Sequence, residues 1–330
     1  MIDLKKEIKN AKSIAISGHI RPDGDCIGSV SAMYQYLKKL MPDAKVDVYL
    51  EEPPHIFAFL KGVDQFDSTY KSDYAYDIFI SLDSGDLERL GRAEKYFSTA
   101  KKTICVDHHI SNNGFADINY VEADASSTCE LIYDLIEPEE MDVYIAEAIF
   151  TGIVHDTGVF QYSCTSPKTF QILSVLAAYE FDRSAIIDAT FYQKSYIQNQ
   201  IMGRALLESI LFMDGKCIVS MIDQKTMDFY SVTPKSLDGI VNQLRVTKGV
   251  ECAIFMYQVG TMEYKVSLRS NRIVDVSKVA MRFNGGGHVR AAGCTMNGTF
   301  HDVVNNLSYF IEQQLEAAQH TETTIEQGSC

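Results

Sequence analysis

The stretch Ser13-Ile14-Ala15-Ile16-Ser17-Gly18-His19-Ile20-Arg21-Pro22-Asp23-Gly24-Asp25-Cys26 runs from five β-prone residues straight into a loop with one histidine and two aspartates. Apolar residues from Ile27 to Leu40 then recur at helical spacing, so the whole reads as strand, polar loop, helix. The pattern repeats outward, with strand-like runs at Val46 to Leu50, Asp77 to Leu82 and Thr103 to Val106. Such alternation predicts an α/β fold built on a parallel sheet covered by helices. Ligands of these sheets gather beyond the carboxyl ends of the strands, and three of the runs are followed at once by His or Asp.

Taken singly, each polar strand end has a plain explanation. Pro22-Asp23-Gly24 makes a turn, Asp83 in Ser81-Leu82-Asp83-Ser84-Gly85-Asp86 an N-cap, and His108-His109 after Asp107 a surface pair. A turn needs one Asp, however, and here a His and two Asp share one short loop at the head of the same sheet. Gly152-Ile153-Val154-His155-Asp156-Thr157-Gly158 adds a further carboxylate inside an apolar stretch, where it is costly without a partner. Histidine with carboxylates suits a divalent ion of borderline hardness such as Mn²⁺. The chain has no G-x-S-x-G elbow, no P-loop and no paired cysteines at zinc spacing. What remains is a ligand set large enough for two metal ions, the arrangement suited to hydrolysing phosphate esters.

A length of 330 residues sets a prior of about two domains. Residues 127–209 read as mainly helical, and from Ile210 the pattern turns to a hairpin, Ile210 to Met213 and Cys217 to Met221 around Asp214-Gly215. Cys252 to Tyr257 and Glu263 to Leu268 are further β-rich runs. The expected division is a catalytic domain over 1–190, a helical linker over 191–209, a smaller α/β domain over 210–318 and a polar, frayed tail over 319–330. The eight cysteines are scattered and read as reduced thiols filling the core. No run is apolar enough to span a bilayer and no signal core is seen, which predicts a cytoplasmic protein away from membranes. A net charge of −14 argues against binding duplex DNA.

His19-Ile20-Arg21-Pro22-Asp23-Gly24-Asp25, Asp83, Asp107-His108-His109 and Asp156 resemble the four ordered motifs of the DHH phosphoesterase superfamily. Asn284-Gly285-Gly286-Gly287-His288-Val289-Arg290-Ala291-Ala292-Gly293 is similar to the signature of its DHHA1 domain. Within the superfamily the likeness is to the bacterial nano-RNase and pAp-phosphatase type. The resemblance implies two Mn²⁺ ions, one held by His19, Asp23 and Asp83, the other by Asp25, Asp83, His108 and Asp156, with Asp83 bridging. It also implies that Asp107 orients the histidine pair and that His109 lies near the leaving group or phosphate.

Between Arg245 and Arg290 stand eight basic and three acidic residues, a local excess of five that leaves −19 for the rest of the chain. A basic island of this kind suits a phosphorylated ligand. Glycines at 285–287 let backbone N–H groups approach an anion, with His288 as a further donor. Gly286, Gly287 and His288 are therefore expected substrate contacts, and the resemblance implies that Arg269 and Ser270 contact the substrate's terminal phosphate or base. The resemblance implies hydrolysis of short RNA, about two to five nucleotides, and a grip on one terminal phosphate would gain nothing from a longer strand that the acidic remainder repels. The implied second activity is dephosphorylation of 3′-phosphoadenosine 5′-phosphate (pAp). The rival enzymatic reading is a phosphodiesterase for cyclic di-AMP or linear dinucleotides, and the rival outside catalysis is a nucleotide-sensing module. A homodimer is compatible with the sequence without being read from it.

Overall fold

The computed structural model describes residues 2–327, and side chains as far as residue 318. Residues up to Gln193 form one compact unit and those from Lys194 onward a second.

Five strands make the sheet of the first unit: β1 (Ser13–Ser17), β2 (Lys45–Val48), β3 (Ile78–Leu82), β4 (Lys102–Asp107) and β5 (Ile118–Val121). They run parallel in the order β2-β1-β3-β4-β5. Every residue of β1 and β3 is buried, as expected of central strands covered on both faces. Alternation sends Ile14, Ile16, Ile78, Ile80 and Leu82 into one core, with the helices Gly24–Leu40 and Val143–Asp156. Ala15 and Phe79 point into the opposite core, which is built around Tyr49, Tyr76 and Tyr96. Pairing of Ser17 with Ser81 and of Leu82 with Val106 sets the carboxyl ends of β1, β3 and β4 level. Strand β5 is the one element of this sheet that the sequence pattern did not single out.

Two helices meet beneath those ends at a point where no side chain fits. A Cβ on Gly152 would stand 2.2 Å from the Cys129 sulfur and 2.6 Å from Asp25 Oδ1. The close crossing brings the start of Gly24–Leu40, with Asp25, to the end of Val143–Asp156, with Asp156.

The second unit holds a mixed sheet in the order β10-β11-β9-β8-β7-β6. Its strands are β6 (Ile210–Phe212), β7 (Cys217–Ile222), β8 (Cys252–Gly260), β9 (Glu263–Ser270), β10 (Gly286–His288) and β11 (Ala291–Asn297). The expected hairpin is β6 and β7, with Met213, Asp214 and Gly215 all left-handed in its turn. The helix Tyr196–Leu207, expected as a linker, gives Ile201 and Ala205 to a core shared with Ile218 and Phe255. The last helix runs Phe300–Gln327, so the backbone of the expected tail is helical as far as Gln327. Residues 328–330 and the side chains from 319 onward lie outside the described residues. Among the described residues the cysteines form no disulfide and no helix is long and apolar enough to cross a membrane.

Candidate metal centre and phosphate-binding face

Beyond Ser17 the chain turns and His19 enters the site almost fully buried. Its Nδ1 lies 2.8 Å from the Ile20 carbonyl, which leaves Nε2 to face Asp23 Oδ1 at 3.6 Å and Asp83 Oδ2 at 3.5 Å. Asp23 caps the helix Gly24–Leu40, its Oδ1 accepting from the N–H groups of Asp25 and Cys26. Asp25 is fully buried in the first turn of that helix. Its two oxygens accept from the N–H groups of Thr128 (2.6 Å) and Cys129 (2.9 Å), at the amino end of the helix Thr128–Leu135. Unpaired N–H groups and the helix dipole both favour a carboxylate there.

Asp83 follows β3 in a left-handed conformation (φ 54°), which Asp tolerates better than most residues and which swings its carboxylate away from the strand direction. The two oxygens divide. Oδ2 faces His19, while Oδ1 accepts from the Thr128 hydroxyl at 3.0 Å and lies 3.6 Å from His108 Nε2. His108 Nδ1 is tied to the Ala125 carbonyl at 3.3 Å, and Nε2 reaches Asp156 Oδ2 at 3.0 Å and Asp25 Oδ2 at 3.9 Å. Asp107 turns the other way: its Oδ1 meets His109 Nδ1 at 2.7 Å and its Oδ2 accepts from Asn112 at 2.7 Å.

The electrostatics follow from burial and proximity. Burial pushes the imidazoles of His19 and His108 toward neutrality, yet the carboxylates around each overcome it and carry both up to about 10. Burial raises Asp23, but His19 outweighs it and holds the carboxyl down at about 2. Burial, with neighbouring aspartates, pushes Asp25 well above the usual carboxylate range, and burial likewise raises Asp156. The ion pairs found for Asp25, Asp83 and Asp156 among the described residues are all with imidazoles, none with Lys or Arg. A cluster so short of positive charge, with each imidazole held through Nδ1 and presenting Nε2, fits divalent cations. Three ligand groups fall within 4.8 Å internally: Asp25 with His108 and Asp156, Asp83 with His108 and His109, and His19 with Cys26 and Asp83.

All eight residues expected at this centre are thus brought together, His109 and Asp107 at its edge. Thr128, Asn112 and Cys26 were not anticipated. The spacing Ser127-x-x-Glu130 signals the helix start that delivers Thr128, and Ser127 does cap the Glu130 N–H.

In the second unit, alternation along β9 sends Lys265, Ser267 and Arg269 to one face and Tyr264, Val266, Leu268 and Ser270 to the buried face. Ser270 is therefore not an open contact as expected: it is 3 % exposed and its hydroxyl donates to the Val289 carbonyl. Arg269 reaches Asn242 Oδ1 through Nε at 3.1 Å. Its cross-strand neighbour is Ala291, which in turn pairs with His288. The glycine run itself forms an edge strand, Gly286–His288, paired with β11. Gly287 (φ 143°) is needed there, since a Cβ would stand 2.4 Å from the Ala291 carbonyl oxygen, whereas Gly286 and His288 are open. Much of the basic island is spent internally. The Arg290 guanidinium binds the carbonyls of Val274 and Arg272, Lys278 pairs with Asp275, and Arg245 donates to Asn271.

Comparison with known proteins agrees with this geometry. A bifunctional oligoribonuclease and PAP phosphatase NrnA from Thermus thermophilus is 27% identical over 93% of this chain and 89% of its own length. The protein of the same name from Bacillus subtilis is 25% identical over 89% and 92%. The crystal structure of an exopolyphosphatase-related protein from Bacteroides fragilis superposes with a TM-score of 0.84 at 26% identity, covering 94% of both chains. Residues 13–153 match the DHH family, N-terminal domain, and residues 214–317 the DHHA1 domain. With a DHH domain that carries the His and Asp cluster and a DHHA1 domain after it in sequence, the chain belongs to the DHH/DHHA1 phosphoesterases.

Proposed function

We propose that this chain hydrolyses short RNA oligonucleotides, about two to five nucleotides long, to mononucleotides and removes the 3′-phosphate of pAp, using two Mn²⁺ ions. The observation that carries the reading is the division of Asp83, with Oδ2 3.5 Å from His19 Nε2 and Oδ1 3.6 Å from His108 Nε2. One carboxylate set between two imidazoles suits a pair of ions that share it. His19, Asp23 and Asp83 would hold one ion, and Asp25, Asp83, His108 and Asp156 the other. Such ions, when bound, make water acidic enough to attack and offset the charge that builds on phosphate oxygens.

The protein's own part is positioning and proton control. The amino end of Thr128–Leu135 fixes both oxygens of Asp25, and burial of Asp25 and Asp83 keeps bulk water off the ligands. Asp107 takes His109 Nδ1 and leaves Nε2 free to hold a proton for the departing ribose oxygen. Arg269, His288 and the backbone at Gly286 and Gly287 would hold the substrate's phosphate. The names of the Thermus and Bacillus relatives support the substrate class, and a net charge of −14 supports small ligands over duplex DNA.

The test is a substrate panel on protein stripped of metal and reloaded with Mn²⁺ or Mg²⁺. Hydrolysis of pAp and of two- to five-nucleotide RNA is expected, faster with Mn²⁺, and slower on longer RNA. Cleavage of cyclic di-AMP with short RNA untouched would replace this reading with the cyclic-dinucleotide one. Tight nucleotide binding without turnover would make the chain a sensor.

A further inference from the structure

Cys26 is fully buried one residue after Asp25, where it looks like part of the core. Its sulfur has a different setting from a core filler. Sγ, a ring nitrogen of His19 and a carboxylate oxygen of Asp83 lie within 4.8 Å of one another, a spacing at which three atoms can share one ion. Gly18 makes the room, since a Cβ there would stand 2.3 Å from Sγ. The thiol's hydrogen bond, to the His19 carbonyl, is long at 3.9 Å and does not hold the sulfur away from the cluster. The other two ligand groups, Asp25 with His108 and Asp156, and Asp83 with His108 and His109, offer nitrogen and oxygen only.

We propose that Cys26 is a sulfur donor to the ion held by His19 and Asp83, so that the two halves of the centre prefer different metals. This rests on the two-metal reading above and replaces Mn²⁺ by a softer ion in one of its two halves. Thiolate favours softer ions, so the half with sulfur selects Zn²⁺, Co²⁺ or Fe²⁺ and the half without it remains suited to Mn²⁺. On binding, the Cys26 S–H proton passes to solvent and a sulfur lone pair to the ion, with no change of oxidation state.

The test uses the full chain, stripped of metal and titrated with Co²⁺, beside Cys26→Ala and Cys26→Ser. Wild type should show a near-ultraviolet thiolate-to-cobalt charge-transfer band that both variants lose. Zn²⁺ affinity should fall about tenfold or more in the variants while Mn²⁺ affinity at the other half changes by less than about twofold. Cys26→Ser replaces one atom, and thermal melts of the metal-free proteins check that both variants fold. If neither does, the wild-type band alone decides. Wild type that binds Co²⁺ without the band, or variants that keep the band or the Zn²⁺ affinity, would overturn the sulfur donor and leave the two-metal reading standing. Wild type that binds no divalent ion would overturn both.

Discussion

In the first unit the charged side chains at the strand ends turn inward, with Asp25, Asp83 and Asp107 almost without exposure and, among the described residues, ion-paired with imidazoles and with no Lys or Arg. In the second unit Lys265 and His288 stand exposed on the sheet, Arg269 half-buried beside them, while Arg290 and Lys278 are occupied by the protein itself. The contrast is what the proposed roles of the two regions would require. A centre that activates water gains from a dry, fixed surround in which each charge is strong. A grip on a diffusing phosphate has to begin in solvent and accept screening as the cost of access. On the proposed function the inward cluster would need added cations to balance its carboxylates, whereas the outward one would not.

The sharpest way to break this contrast is Asp83→Ala. If Asp83 serves both halves, its loss should lower kcat by about a thousandfold or more, several kcal/mol of transition-state stabilisation, and reduce bound metal below two ions per chain. Elemental analysis beside the rate assay checks both, and a variant that keeps two ions and a near-normal rate removes the bridge. Arg269→Ala comes next. It should leave metal content unchanged and lower kcat/KM on pAp and dinucleotides by roughly ten- to a hundredfold, the loss of one charged phosphate contact.

A third prediction concerns pH and the metal-free protein. His19 and His108 are raised from 6.5 to about 10, so their contribution to stability is present in full below pH 6.5 and is lost as pH climbs toward 10. Asp25 and Asp156, also raised, act in the same direction from a lower starting point. The melting temperature of stripped protein should therefore fall across that window, and saturating Mn²⁺ should remove much of the fall because the ion takes the place of the protons. A flat profile without metal would mean that the imidazoles do not carry the cluster's charge. The smallest effect is expected from Ser270→Ala: kcat/KM within about twofold of wild type and a stability loss of about 1 kcal/mol, read from denaturant melts. A large rise in KM would return Ser270 to the binding face.

The sequence made the first unit far more legible than the second, and the reason is geometric. Parallel strands end level, so Asp83 and Asp107, directly after Leu82 and Val106, and His19, two residues after Ser17, are placed at the site by topology alone. No such rule sorts residues across the second sheet. Arg269 and Ser270 are adjacent in sequence, but the period of two in a strand puts them on opposite faces, and one position of register decides which is wet. Counting charges gave the basic island its excess but said nothing of how many members spend their charge on carbonyls, as Arg290 does. Cys26 was hidden for another reason. Burial is what thiols do in any core, and only the close packing of its sulfur on Gly18 and the nearness of His19 and Asp83 set this one apart.

The contact at Gly152 carries a consequence for anyone who redesigns this protein. A glycine inside a helix is an obvious target for stabilisation, since Ala there ordinarily improves helix formation by ~1 kcal/mol. Here the added methyl would press on the Cys129 sulfur and on Asp25 Oδ1. The substitution would thus move a carboxylate of the proposed metal centre from a position that looks like ordinary packing. Spacing between the ligands is in this sense an output of how tightly two helices cross, and a sequence optimiser blind to that would trade activity for helicity without touching one polar residue.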